Sequence, residues 1–273
     1  MTAVLDAPRT TIPPTTGIRS RPFGLVRHSL ALARRSLIKT LRTPEQLIDV
    51  TLQPIIFTAL FLYLLGGAVA GDRQEYLRFL LPALMVQTVL LAATTTGVTL
   101  NADISKGIFD RFRSLPIGRS APLIGLLLGD MIRSVIAIVV LLGFGHVLGF
   151  RIGTDLLSTL AACLLVMGFS VAMGWVFVVL GLLMREPSAV QGVGFLLSFP
   201  LTFGTNMITP TETMPGWLQA WVEVNPVTSL MEASRGLING GPVADPVIES
   251  LLWGVGILVV FAPLAVWIYR RRT

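Results

Sequence analysis

Charge is scarce in this chain of 273 residues: Asp, Glu, Lys and Arg make up 13% of it, against about a quarter in a soluble domain. Only two of those residues are lysines, Lys39 and Lys106. They follow Ile38 and Ser105, whereas a phosphate-cradling loop places glycine before its lysine. An ATP-hydrolysing P-loop on this chain is thereby excluded. The one cysteine, Cys163, can build no disulfide framework and reads as a small helix-packing residue. The two histidines, His28 and His146, fall on segments expected near opposite membrane faces, so no shared metal site is expected. Paired catalytic carboxylates are missing as well, and the chain is not expected to be an enzyme on its own.

Apolar residues fill the space that charge leaves. They make up 53% of the sequence, and the mean hydropathy is +0.76. Six windows have roughly the 20 apolar residues needed to cross a hydrocarbon core of about 30 Å. They run over 47–69, 79–100, 123–150, 156–184, 190–207 and 248–269. The expected fold is an all-α membrane protein with six transmembrane helices, and 44–273 forms its membrane domain. With the N-terminus inside, the inner segments hold 16 of the 21 Lys and Arg residues, which places both termini in the cytoplasm. The net charge of +6 then follows from topology, and nucleic acid is not an expected partner.

Ahead of the spans, residues 1–22 are rich in Thr, Pro and Arg and contain no apolar stretch of signal-peptide type, so a flexible tail is expected. Residues 23–43 carry a helical stripe of Val26, Leu30, Ala33, Leu37 and Leu41 opposite Arg27, Arg34, Arg35, Lys39 and Arg42. Such a helix lies naturally in an anionic headgroup layer. Two readings stand: it sets topology, or it touches a cytoplasmic partner.

The inner loop after the second window reads as an amphipathic helix over 103–115. Ile104, Ile108, Phe112 and Leu115 fall on one face, Asp103, Lys106, Asp110 and Arg113 on the other, and Pro116 ends it. At 1.5 Å per residue it is a rod of roughly 20 Å. It either skims the membrane or passes a push from a cytoplasmic partner into the neighbouring spans. On the outer side, 215–224 and 226–238 are each too short to cross, and each begins with proline. Asn225 suits the cap of the second, and Trp217 and Trp221 share a face suited to a membrane interface. This segment, within 210–239, is either a re-entrant cap over an exit path or an amphipathic skin on the bilayer.

Both segments carry a family pattern. Asp103-Ile-Ser-Lys106-Gly107-Ile-Phe-Asp110-Arg111-Phe-Arg113-Ser-Leu115-Pro116 resembles the coupling loop of type-2 ATP-binding-cassette exporter permeases, in the daunorubicin-resistance-like branch. Met214-Pro215-Gly-Trp217-Leu218, then Asn225-Pro226 and Arg235, is similar to the outer hairpin of the same family. The resemblance covers essentially all of the chain after Leu25. It implies that Asp103, Lys106, Ile108, Asp110, Arg111, Phe112, Arg113 and Leu115 form a coupling helix seated in a nucleotide-binding subunit. It implies further that the N-terminal helix braces that interface, and that Met214, Pro215, Trp217, Trp221, Asn225, Pro226 and Arg235 belong to an outer gate. Two permease chains, identical or homologous, would face each other above two ATPase subunits carrying the ATP and Mg. This chain itself would bind no cofactor, and its location would be a bacterial plasma membrane.

The substrate path is expected from Gln87, Thr94 and Thr95 in the second span and Phe195, Phe199, Thr202 and Asn206 in the fifth. An aromatic, weakly polar wall suits a hydrophobic drug or lipid, although hydroxyl residues also serve plain helix packing. Asp130 and Arg133 lie within the third window at a spacing of i,i+3. They either neutralise each other on one helix face or mark a proton or substrate site. The functional expectation is the permease subunit of an ATP-driven exporter. The alternatives are a gradient-driven carrier using Asp130 and a non-transporting scaffold.

Overall fold

The computed structural model describes residues 44–69, 72–107 and 121–272. The tail 1–22, the amphipathic segment 23–43 and the coupling residues Ile108, Asp110, Arg111, Phe112, Arg113 and Leu115 lie outside the described residues. The described chain is helical: α1 Pro44–Val69, α2 Arg73–Ser105, α3 Ala121–Val147, α4 Leu156–Leu183, α5 Pro187–Phe203, α6 Gly216–Val224, α7 Pro226–Asn239 and α8 Ala244–Arg272, with a single 3-10 turn at Thr211–Thr213. Among the described residues there is no strand. By length and composition, α2, α3, α4 and α8 are long and apolar enough to cross a membrane.

Local chemistry sets the helix ends. Proline opens α5 and α7, where its missing N–H would have no intrahelical partner anyway. Asp72 caps α2 by accepting from the Gln74 N–H. At the other end, α2 continues two residues past Asp103 and turns at Lys106 and Gly107, where φ is +67°. The expected coupling helix at 103–115 therefore does not begin as a separate element at Asp103; its first three residues are the last of α2. Gly107 supplies the left-handed turn that other residues resist. The apolar window of 190–207 likewise overstates its helix. The ladder of α5 ends at Phe203, because the backbone of 206–208 turns its carbonyls to side chains of α2 and α7.

The core sits around α2, which packs against α1, α3, α4, α5 and α7. Its Tyr76, Leu80, Leu81, Met85 and Val86 have no solvent access. The closest helix crossing is α2 with α4. A Cβ on Gly97 would lie 2.4 Å from the Phe177 carbonyl oxygen, and one on Gly181 would lie 2.5 Å from that of Gly97. Without side chains at these positions the backbones meet directly, the small-residue packing used where both helices are surrounded by lipid. Beside that crossing, the Asn101 amide donates to the carbonyls of Gly181 (2.9 Å) and Met184 (2.8 Å). In contrast α8 rests on α4 and α7 and exposes Leu251, Leu252, Val255 and Val259. Exposed apolar faces of this kind suit lipid contact.

Candidate functional site

Two polar centres stand out in this apolar bundle. One lies at the end that carries α6 and α7. Arg235 of α7 donates from Nε to the Phe79 carbonyl (2.9 Å), from Nη1 to Asn206 Oδ1 (2.9 Å) and from Nη2 to the Asn206 carbonyl (2.7 Å). Its guanidinium also lies 3.8 Å from the centroid of the Phe79 ring. Asn206 in turn donates to Glu232 Oε1 (2.7 Å), and the Tyr76 hydroxyl donates to the Ile208 carbonyl. Burial lowers the Arg235 guanidinium to about 10, an effect opposed by Glu232 and Tyr76, so it is cationic at neutral pH. One side chain thus joins α2, the α5–α6 loop and α7.

Asn225 performs the same service at the joint between α6 and α7. Its Oδ1 accepts from the Val227 N–H while its Nδ2 donates to the carbonyls of Leu201 and Gly204. Further along α7, Ser229 donates to Glu249 of α8, and Asn239 donates to the Arg78 carbonyl. The Thr154 hydroxyl completes the seam by donating to the Leu237 carbonyl. Of the expected gate residues, Arg235, Asn225 and Pro226 lie in this seam. Trp217 and Trp221 lie on the exposed side of α6, with Trp221 over Gly204, while Met214 and Pro215 form the turn that leads into α6. Sequence reasoning missed Tyr76, Phe79, Thr154, Glu232, Asn239 and the Ser229–Glu249 pair. No local pattern could have found them, since their partners are up to 161 residues away.

The second centre is a cavity of about 420 Å³ between α1, α2, α3 and α5. Gln53, Thr88, Thr94, Thr95, Thr99 and Arg133 give it polar groups; Pro54, Phe57, Leu91, Ala137 and Phe195 give it apolar walls. Thr94 and Thr95 donate their hydroxyls to the carbonyls of Leu91 and Ala92, which leaves the oxygens facing a ligand as acceptors. Arg133 donates from Nη2 to Asp130 Oδ1 at 2.7 Å, and both side chains are largely buried. The pair spans α3: Asp130 faces a crevice against Met167 and Ser170 of α4, whereas Arg133 faces the cavity.

Of the expected substrate path, Thr94, Thr95 and Phe195 meet in this cavity. The other four do not. Gln87 is buried away from it, with Nε2 lacking a hydrogen-bond partner among the described residues. Thr202 is buried and bonded to the Ser198 carbonyl of its own helix, and Asn206 belongs to the Arg235 cluster. Phe199 is exposed, stacked on Phe203 and tilted against Phe195. The spacing of 195, 199, 202 and 206 suggests one helical stripe, but α5 ends at Phe203, so Asn206 leaves that stripe. Of the expected coupling residues, Asp103 and Lys106 lie at the end of α2 opposite the Arg235 cluster.

Fold and centres together define a multi-pass helical membrane protein with a partly polar cavity between its helices and a pinned pair of short helices at one end. Residues 27–239 match the ABC-2 type transporter family, and the chain belongs to that family. It is 41% identical over 238 residues to the daunorubicin resistance ABC transporter permease protein DrrB1 of Streptomyces coeruleorubidus, covering 87% of this chain and 84% of that one. It is 30% identical over 250 residues to the probable doxorubicin resistance ABC transporter permease protein DrrC of Mycobacterium tuberculosis, covering 91% and 90%. A putative transport permease of Cyanophora paradoxa is 27% identical over 224 residues, covering 80% and 76%. The chain is accordingly the membrane permease subunit of an ATP-driven transporter. ATP binding and hydrolysis belong to a separate subunit, so this chain is not itself an enzyme. A carrier driven by a gradient through Asp130 is set aside on the same ground.

Proposed function

We propose that the chain exports hydrophobic drugs or antibiotics, or lipids, across a bacterial plasma membrane. The names of the two resistance permeases support a drug-like substrate. In this reading α1 to α5 and α8 are six spans, α6 and α7 form the outer gate, and both termini are cytoplasmic. The distribution of Lys and Arg supports that orientation. Two permease copies, identical or homologous, stand above two ATPase subunits that hold ATP and Mg, with α2 and α5 toward the shared path. The exposed Phe195, Leu196 and Phe199 on α5 support such a facing surface.

One observation carries the mechanism. α2 is a single helix of 33 residues, about 50 Å long at 1.5 Å per residue. Near one end it holds Phe79, the acceptor of Arg235; at the other it holds Asp103 and Lys106, where the coupling motif begins. A push delivered to the 103–115 segment by the ATPase therefore reaches the outer gate along one element. The test is Asp110→Ala together with Arg111→Ala, with ATP hydrolysis and export measured in proteoliposomes. Export should stop while the chain still inserts and the ATPase still turns over. Undiminished export from a normally assembled complex would sink the proposal.

A further inference from the structure

We infer that the cavity between α1, α2, α3 and α5 binds an uncharged aromatic amphiphile through an oxygen acceptor that receives hydrogen bonds from Arg133. This deepens the permease reading above and rests on it.

A guanidinium presents five N–H donors in a fixed fork. One of these is satisfied, Nη2 to Asp130 Oδ1. Nε has no accessible surface, so the donors within reach of a ligand are the remaining Nη hydrogens: the side chain keeps 16% of its surface exposed and lines the cavity, which gives room for an acceptor. Charge then selects the kind of acceptor. Asp130 already balances Arg133, so an anionic ligand would bring an uncompensated charge into a largely apolar site, and a cationic one would meet the guanidinium. A carbonyl, ether or hydroxyl oxygen satisfies the donor without either cost. Phe57 and Phe195 offer aromatic surface to the rest of the molecule, and about 420 Å³ lies within the usual range for a small-molecule site. Asp130 acts through Arg133 and is a positioning residue: it holds one Nη2 donor of the fork while the side chain lines the cavity.

The test uses the full chain in complex with its ATPase subunit, in lipid nanodiscs. The probes are four pyrenes on the same four-carbon arm: the methyl ester of pyrenebutanoic acid, the free acid, pyrenebutylamine and plain butylpyrene. Fluorescence anisotropy, corrected for partition into empty nanodiscs, gives the affinities. The ester should bind about tenfold or more tighter than each of the other three, since a buried hydrogen bond to a charged group is worth about that much or more. Arg133→Met with Asp130→Asn removes both charges together, leaving neither orphaned, and should reduce the ester to the level of butylpyrene without weakening butylpyrene. Ala137→Phe, which fills the cavity and leaves the ion pair alone, should weaken ester and butylpyrene alike. Arg133→Lys keeps the charge but loses the fork, and should retain only part of the ester preference.

Equal binding of ester and butylpyrene, tighter binding of the acid or the amine, an ester preference that survives the double variant, or indifference to Ala137→Phe would each overturn the assignment. ATP-dependent movement of the ester is followed in proteoliposomes in parallel. Export that continues while binding ignores Arg133 defeats the cavity and leaves the permease function standing. Arg133-dependent binding with no ATP-dependent movement of any probe does the reverse.

Discussion

α6 and α7 are neighbours joined at Asn225, of 9 and 14 residues, and they are embedded in opposite ways. α6 buries only Val222 and leaves Trp217 75% exposed, whereas α7 buries nine residues and is tied to α2, α8 and the loops around it. The difference does not lie in apolar content, because α7 contains Thr228, Ser229, Glu232, Ser234 and Arg235 and is the deeper of the two. Polar groups with buried partners hold a short helix inside a bundle; tryptophans without such partners hold one at its surface. One arm of the hairpin is thus tied into the bundle and the other lies at its surface.

The strongest way to break this contrast is Arg235→Ala. It leaves the Phe79 carbonyl and Asn206 without their donor, and we expect a loss of about 3 kcal/mol or more in reversible detergent unfolding. A wild-type unfolding curve would show that α7 is held by apolar packing alone. Next in size is Gly97→Ala, whose Cβ would collide with the Phe177 carbonyl and separate α2 from α4 at a cost of about 1–3 kcal/mol. If α7 is anchored through α2, hydrogen exchange should rise in α7 although nothing there has changed; protection in α7 that stays intact would uncouple the two.

Asn225 sharpens the boundary between the arms. Asn225→Ser keeps a neutral acceptor for the Val227 N–H but loses the amide donor to Leu201 and Gly204, while Asn225→Ala loses both. Alanine should therefore cost about 1 kcal/mol more than serine, the usual worth of a helix cap. Equal losses would mean that the cap contributes nothing here. The smallest effect is expected for Trp217→Ala, within about 0.5 kcal/mol of wild type, as for exposed sites elsewhere. A larger loss would mean that α6 is as firmly seated as α7.

Local signals wrote much of the helical order into the sequence. Proline at the first helical position and an Asx residue ahead of it are short-range chemistry, and Asn225-Pro226 marks the start of α7 for that reason. Apolar windows found the long helices but misjudged their ends, because hydropathy does not register where a backbone turns. Gly107 ends α2 and Gly204 follows α5, each inside or beside a stretch that still looks helical. The candidate sites were less legible. A threonine on α2 looks alike whether it faces a cavity, as Thr94 and Thr95 do, or is sealed in the core, as Thr96 is; the rotation of the helix decides, and neighbouring helices set that rotation. Arg235 was visible as part of a family pattern, but its bond to Phe79, 156 residues away, depends on tertiary contact alone.

The bare contact between Gly97 and Gly181 has a mechanical consequence. It grips α2 off-centre, about nine residues or 14 Å from Lys106 and about 18 residues or 27 Å from Phe79, taking 1.5 Å per residue. A helix that pivoted there would be a lever with arms of unequal length, so a small displacement at the Lys106 end would be roughly doubled in travel, and reversed in direction, at Phe79.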